Sequence, residues 1–138
     1  CLSKVLCAPV GSMLVGSREF IDRARRVRKL VGGGMRQAGV LAAAGLIALE
    51  KMTGRLHEDH ENARLLAEGL AEMPQTNMVF FSLADDVPLS APELSERMRA
   101  HNILMLPTDE RGFRLVTHYW IRPEDAVFVL AALQKELA

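Results

Sequence analysis

The sequence predicts a mixed helix-and-sheet chain whose C-terminal half is a small α+β layer. Two observations predict it. From Thr76 onward, periodicity and turn signals give the order strand, helix, strand, strand, helix, which places helices on one face of a small sheet. Before Thr76, helical stretches follow one another between glycine breaks, and one of them is apolar nearly all round. The 138 residues, 49% hydrophobic and 25% charged, have the composition of an ordinary globular protein and one domain's worth of length.

Cys1 to Gly16 is short and apolar, with Pro9, Gly11 and Gly16 as punctuation, and Val10, Met13, Leu14 and Val15 suggest strand pieces around a turn. Ser17 is a good N-cap for a helix to about Leu30, with Phe20, Ala24, Val27 and Val31 on its core face. Gly32, Gly33 and Gly34 break it. A second helix is expected from about Met35 to Met52. Its uniform apolarity calls for burial on several sides. After Gly54 a third helix carries the stripe Leu56, Ala63, Leu66, Ala67 and Leu70, and Pro74 marks its end. Met78 to Leu83 reads as a buried strand. Ser90 and Glu93 form a capping box for a helix bearing Leu94 and Met98. Ile103 to Leu106 and Phe113 to Thr117 read as strands around a turn at Asp109 to Gly112. Pro123 opens the last helix, with Ala126, Val127, Leu130 and Leu133 facing the core.

Charge excludes some functions. The 17 basic and 17 acidic residues cancel, which gives no reason to expect nucleic acid or an anionic membrane as partner. No apolar run is long enough to span a bilayer. Cys1 and Cys7 make no disulfide framework, so a reducing compartment, the cytoplasm, is the default. The first residue is not Met and stands in a strand-like stretch, so the chain is expected to begin inside a larger protein.

Five features carry candidate chemistry. Lys4 stands in an apolar, turn-rich stretch. A buried amine there suits Schiff-base chemistry, whereas spacing alone favours a lysine that reaches solvent. The basic run Arg23 to Lys29 reads as a solvated helix face. Gly32-Gly33-Gly34-Met35-Arg36-Gln37 puts glycines and Arg36 just before a helix, a place that can hold phosphate or simply connect two helices. His57 and His60 are three apart rather than the four a zinc-binding helix needs, so no metal is expected. Arg114 shares a strand face with Val116, with Leu115 and Thr117 on the other. It can grip a carboxylate in a bidentate pair or serve a structural ion pair, and the pattern does not choose.

Taken together, Ser3-Lys4, Ala8-Pro9-Val10-Gly11-Ser12, Gly32 to Gly45, Glu58-Asp59-His60, Thr76-Asn77-Met78 and Arg114-Leu115-Val116-Thr117-His118 occur in one order. In that order they resemble the C-terminal part of the low-specificity L-threonine aldolases, pyridoxal-phosphate enzymes of the aspartate-aminotransferase fold class. The resemblance implies an α/β arrangement. Residues 1–52 end a large cofactor-binding domain, 53–75 form a linking helix and 76–138 a small α+β domain. It implies pyridoxal 5′-phosphate held by Lys4, Arg36 near the cofactor phosphate, and Arg114 on the substrate α-carboxylate. It implies cleavage of threonine or allo-threonine to glycine and acetaldehyde, in a homodimer or homotetramer. The family pattern has glycine where Val5 and Cys7 stand. If either position needs positive φ, strain of roughly 1–3 kcal/mol follows. The segment Leu70 to Thr76 also looks shorter than the family's. An inactive remnant of such an enzyme is the alternative, and the isolated chain is expected to be inactive because most of the cofactor pocket lies outside it. A decarboxylase or transaminase of the same fold class fits the triple-glycine and Arg-Leu-Val-Thr-His motifs less well.

Overall fold

Ser17 starts the first helix, as its side chain predicts. Its Oγ accepts from the Phe20 N–H at 3.3 Å, and helix α1 runs Arg18–Leu30. The computed structural model describes residues 1–70, 72 and 76–137, and the chain divides into two compact units, Cys1–Arg55 and Leu56–Ala138.

In the first unit α1 closes in a Schellman motif. Gly32, at φ +83, is the left-handed residue that ends the helix. Its N–H donates to Lys29 O at 3.2 Å, and the Gly33 N–H reaches Arg28 O at 2.8 Å. The core face expected for α1 is not buried, since no residue of this helix is buried within the unit. Helix α2 spans Gly39–Ile47 and continues through a π-helical turn, Ala48–Met52, into a 3-10 turn, Thr53–Arg55. It starts four residues later than expected because Gln37 takes φ +53, a conformation no helix accommodates. The strand pieces expected at Val10 and at Met13 to Val15 do not form. All four residues are exposed in irregular backbone. Only Ala8, Gly45 and Ala48 are buried in this unit.

The second unit is α+β. Helix α3, Leu56–Gly69, is followed by strand β1, Met78–Ser82, helix α4, Ala91–Ala100, strand β2, Gly112–Val116, and helix α5, Pro123–Leu137. The helix stop expected at Pro74 falls outside the described residues, as does most of the segment between Leu70 and Thr76. Strands β1 and β2 pair antiparallel, with Phe80 opposite Arg114 and Phe81 opposite Phe113. The alternation sends Val79, Phe81 and Phe113 into the core and leaves Phe80, Arg114 and Val116 exposed.

All three helices pack on that inner face. Leu94 and Met98 of α4 and Ala132 and Leu133 of α5 cluster around Phe81 and Phe113, whose rings stack at 5.0 Å. Ala63, Leu66 and Ala67 of α3 meet Val79 and Ala126. Each large apolar side chain buried here contributes about 1.5–3 kcal/mol. The capping box forms as predicted: Ser90 N–H donates to Glu93 Oε2 at 2.8 Å, and Glu93 N–H to Ser90 Oγ at 3.4 Å.

Two expectations fail in this unit. Val127 is exposed, because the buried stripe of α5 runs through Ala126 and Leu133, one position off. Ile103 to Leu106 joins no ladder. Just past it, the bridge between Pro107 and Phe113 and the Thr108 N–H, which donates to Gly112 O at 2.9 Å, tie the chain to β2.

Candidate functional site

Lys4 is exposed, at the head of a tight loop. The Cys7 N–H donates to Lys4 O at 2.8 Å, the Ala8 N–H to Leu2 O at 3.0 Å, and the Leu2 N–H to Gly11 O at 2.8 Å. Cys7 takes φ +58, while Val5 is not among the positive-φ residues. The strain expected for this loop therefore falls on Cys7 and not on Val5. Gly45 of α2 lets the loop come close, because a Cβ there would stand 3.3 Å from Leu2 Cδ1. The burial that a desolvated lysine needs is absent from the first unit. The amine makes no hydrogen bond or ion pair among the described residues.

Arg36 lies exposed between the glycine run and α2. The Gly32 and Gly33 amides are consumed by the end of α1 and do not point at a ligand. A phosphate here would depend on the Arg36 guanidinium and the start of α2. No side chain caps that start. Among the described residues no hydrogen bond or ion pair joins Arg36 to Lys4.

Arg114 occupies the outer face of β2, at an open cleft of about 870 Å³ within the second unit. Leu104, Leu106, Trp120 and Phe128 also line the cleft. The guanidinium makes no ion pair among the described residues, so the structural ion pair that the sequence left open is not formed there. The strand beneath it is pinned at its far end. Asn77 Nδ2 donates to Thr117 O at 2.7 Å, and the Thr117 N–H to Asn77 O at 3.0 Å. The buried Thr117 hydroxyl donates to Asp59 O at 2.6 Å. Next to it His118 Nδ1 accepts from the Trp120 N–H at 3.3 Å.

Residues 1–84 match the sequence model of the family described as Beta-eliminating lyase. The chain belongs to that family. Low-specificity L-threonine aldolase 1 of Arabidopsis thaliana is 42% identical over 99% of this chain and 41% of its own length. Low specificity L-threonine aldolase of Escherichia coli (strain K12) is 45% identical over 100% of this chain and 42% of its own length. Aldolase vrtJ of Penicillium aethiopicum is 41% identical over 90% of this chain and 33% of its own length. The chain thus spans about two fifths of the aldolases from Arabidopsis and Escherichia, and it matches their C-terminal portion.

Within the chain, three of the motif stretches meet in space. Asp59, Asn77 and Thr117 come together behind the strand that carries Arg114. Sequence reasoning missed the polar contact of α3 that supports them. Asn62 is buried and its Nδ2 donates to Ile121 O at 2.8 Å. The signal was a polar residue next to the apolar stripe, at a spacing that also points inward. Lys4 and Arg36 lie in the first unit and Arg114 in the second.

Proposed function

We propose that this chain is the part of a pyridoxal-phosphate-dependent threonine aldolase that carries the cofactor lysine and the carboxylate-binding arginine. The proposed reaction splits L-threonine or L-allo-threonine into glycine and acetaldehyde. The observation that carries it is identity of 42–45%, over nearly the whole chain, to proteins named low-specificity L-threonine aldolases. The residues present fit the cofactor. Lys4 offers an unpaired primary amine for an aldehyde, and Arg36 an exposed guanidinium for a phosphate.

Arg114 does the orienting. An unpaired guanidinium presents two parallel N–H groups to a carboxylate, and that grip fixes which Cα bond is aligned for cleavage. Lys4 Nζ is the primary amine that would hold the cofactor's aldehyde carbon. Pyridoxal 5′-phosphate, when bound, supplies the electron sink for the pair left on Cα as Cα–Cβ breaks. The β-hydroxyl proton leaves to a base as acetaldehyde departs, and Cα gains a proton to become glycine. The apolar surface left open on α1 and α2 supports assembly as a homodimer or homotetramer.

The test is acetaldehyde release from L-allo-threonine with added pyridoxal 5′-phosphate. It compares the 138-residue chain alone with the chain joined behind the N-terminal portion of the Escherichia coli relative. Expected is turnover in the fusion only, its loss in Lys4→Ala, and a fall in kcat/KM of about 100-fold in Arg114→Lys, the cost of losing a charged bidentate contact. A folded, cofactor-loaded fusion without turnover overturns the reading. Cys7 in the left-handed region, where the family pattern has glycine, favours a second reading, an inactive remnant. A fusion that stays silent even with Cys7→Gly supports it.

A further inference from the structure

The cleft beside Arg114 separates two stretches that match as strands. The lone bridge between Pro107 and Phe113 is antiparallel. Continuing that register sets Leu106 opposite Arg114, Met105 opposite Leu115, Leu104 opposite Val116 and Ile103 opposite Thr117. The faces agree at every pair. Ile103 and Met105 are 8% and 4% exposed, on the side of Thr117 and Leu115, whereas Leu104 and Leu106 are 80% exposed, on the side of Val116 and Arg114. A shift of one residue would reverse all of them.

The backbone agrees as well. Thr117 N–H bonds Asn77 O, so the odd-numbered residues of β2 face β1, and Arg114 and Val116 present their N–H and C=O to the opposite edge. On the other stretch the odd residues are tied to α4. The Ile103 N–H donates to Met98 O at 3.1 Å, and Met105 O accepts from Ser95 Oγ at 2.6 Å. Leu104 makes no hydrogen bond among the described residues. The Leu104 N–H and C=O are the groups that the continued register turns toward β2, and they are uncommitted among the described residues.

We propose that Ile103 to Leu106 is a strap that zips onto the free edge of β2 in this register and closes the cleft as a third strand. Closure sets Leu106 on one side of Arg114 and Phe80 on the other. An ion pair made there gains strength as water is excluded. The closure stands on backbone and burial alone. Its bearing on the substrate rests on Arg114 holding a carboxylate, as proposed above.

The test is disulfide formation between paired cysteines in the chain with Cys1→Ser and Cys7→Ser. Oxidised glutathione takes the two electrons and two protons of the two thiols and leaves as two reduced molecules. Leu104→Cys with Val116→Cys is the register pair. Leu104→Cys with Arg114→Cys, on the same face but two residues off, is the control. The register pair is expected to close at least about tenfold faster, because only it brings the Cα atoms within disulfide reach. In the unsubstituted chain the Leu104 and Val116 amides are expected to exchange at least about tenfold slower than in an unstructured peptide. Equal closure rates in two folded variants, or unprotected Leu104 and Val116 amides, overturn the strap. Neither measurement uses substrate, so failure here and failure of aldol cleavage in the fusion are told apart.

Discussion

Arg111 should be the most sensitive charged residue of the second unit. Its Nη1 donates to Val87 O and Leu89 O at 3.1 Å each, and its Nη2 to Leu83 O at 3.2 Å and also to Ala84 O. The stretch from Leu83 to Leu89 has neither helix nor strand to take up those carbonyls, so one guanidinium does the work of a ladder. A hydrogen bond from a charged donor contributes about 1.5–3 kcal/mol net. Arg111 is only half-buried, so water recovers part of each lost bond, and a discount to about 1 kcal/mol apiece is appropriate. Three bonds of good length then predict a loss of about 3 kcal/mol for Arg111→Met, which keeps the stem and removes the donors. Arg111→Lys keeps the charge but not the fork, and should recover no more than about half. Thermal unfolding followed by circular dichroism and by Trp120 fluorescence reads the effect. In a unit of this size each kcal/mol moves the midpoint by roughly 4–8 °C. A loss below about 1 kcal/mol, or a lysine as good as the arginine, would refute the reasoning.

Two further substitutions follow from local geometry. Cys7→Gly should steady the lysine loop by about 0.5–1 kcal/mol, because Cys7 holds φ +58, and Val5→Gly should loosen it by a similar amount through backbone entropy. The Ala8 amide, bonded to Leu2 O, reports both as exchange changes of roughly threefold in opposite directions; changes of the same sign count against the loop geometry. Acid stability should depend on Glu136, whose carboxyl is held below its ordinary value of 4.5 first by the hydrogen bond from His101. A depressed carboxyl stabilises fully above its ordinary value, and that contribution is lost as pH falls below 4.5 through the depressed value. Glu93, held down first by the Ser90 N–H, and Asp109, held down first by the Arg111 N–H, act with the same sign. Urea midpoints across this range should therefore fall less steeply in Glu136→Gln, and an unchanged slope would remove His101–Glu136 from the account.

Features written in adjacent residues were legible in the sequence. Ser17 and Ser90 with Glu93 named their helix starts, and Pro123 and the stripe around Ala126 named α5. Features that depend on a distant partner were not. Ile103 to Leu106 has strand alternation, yet alternation cannot say whether the neighbouring edge is engaged. Asp59 and Asn62 lie outside the apolar stripe read for α3 and yet are buried, because Thr117 and Ile121 bring backbone and hydroxyl groups to meet it. Arg111 left no trace, since the carbonyls it gathers come from a loop more than twenty residues away in sequence.

The candidate site shows the same division. Lys4 and Arg36 stood out by pattern and took their roles from resemblance, and in the structure they remain exposed groups of the first unit. Arg114 gained more. Its motif ends in Thr117, whose hydroxyl and backbone are both spent on Asp59 and Asn77. Those residues belong to two of the other motif stretches, so three separate pieces of sequence converge on one clasp three residues from the guanidinium. The clasp leaves no buried side-chain polar atom without a partner, while the guanidinium stays unpaired among the described residues. A structural ion pair would satisfy Arg114 itself. Under the proposed function, satisfying its supports instead leaves Arg114 for the substrate carboxylate.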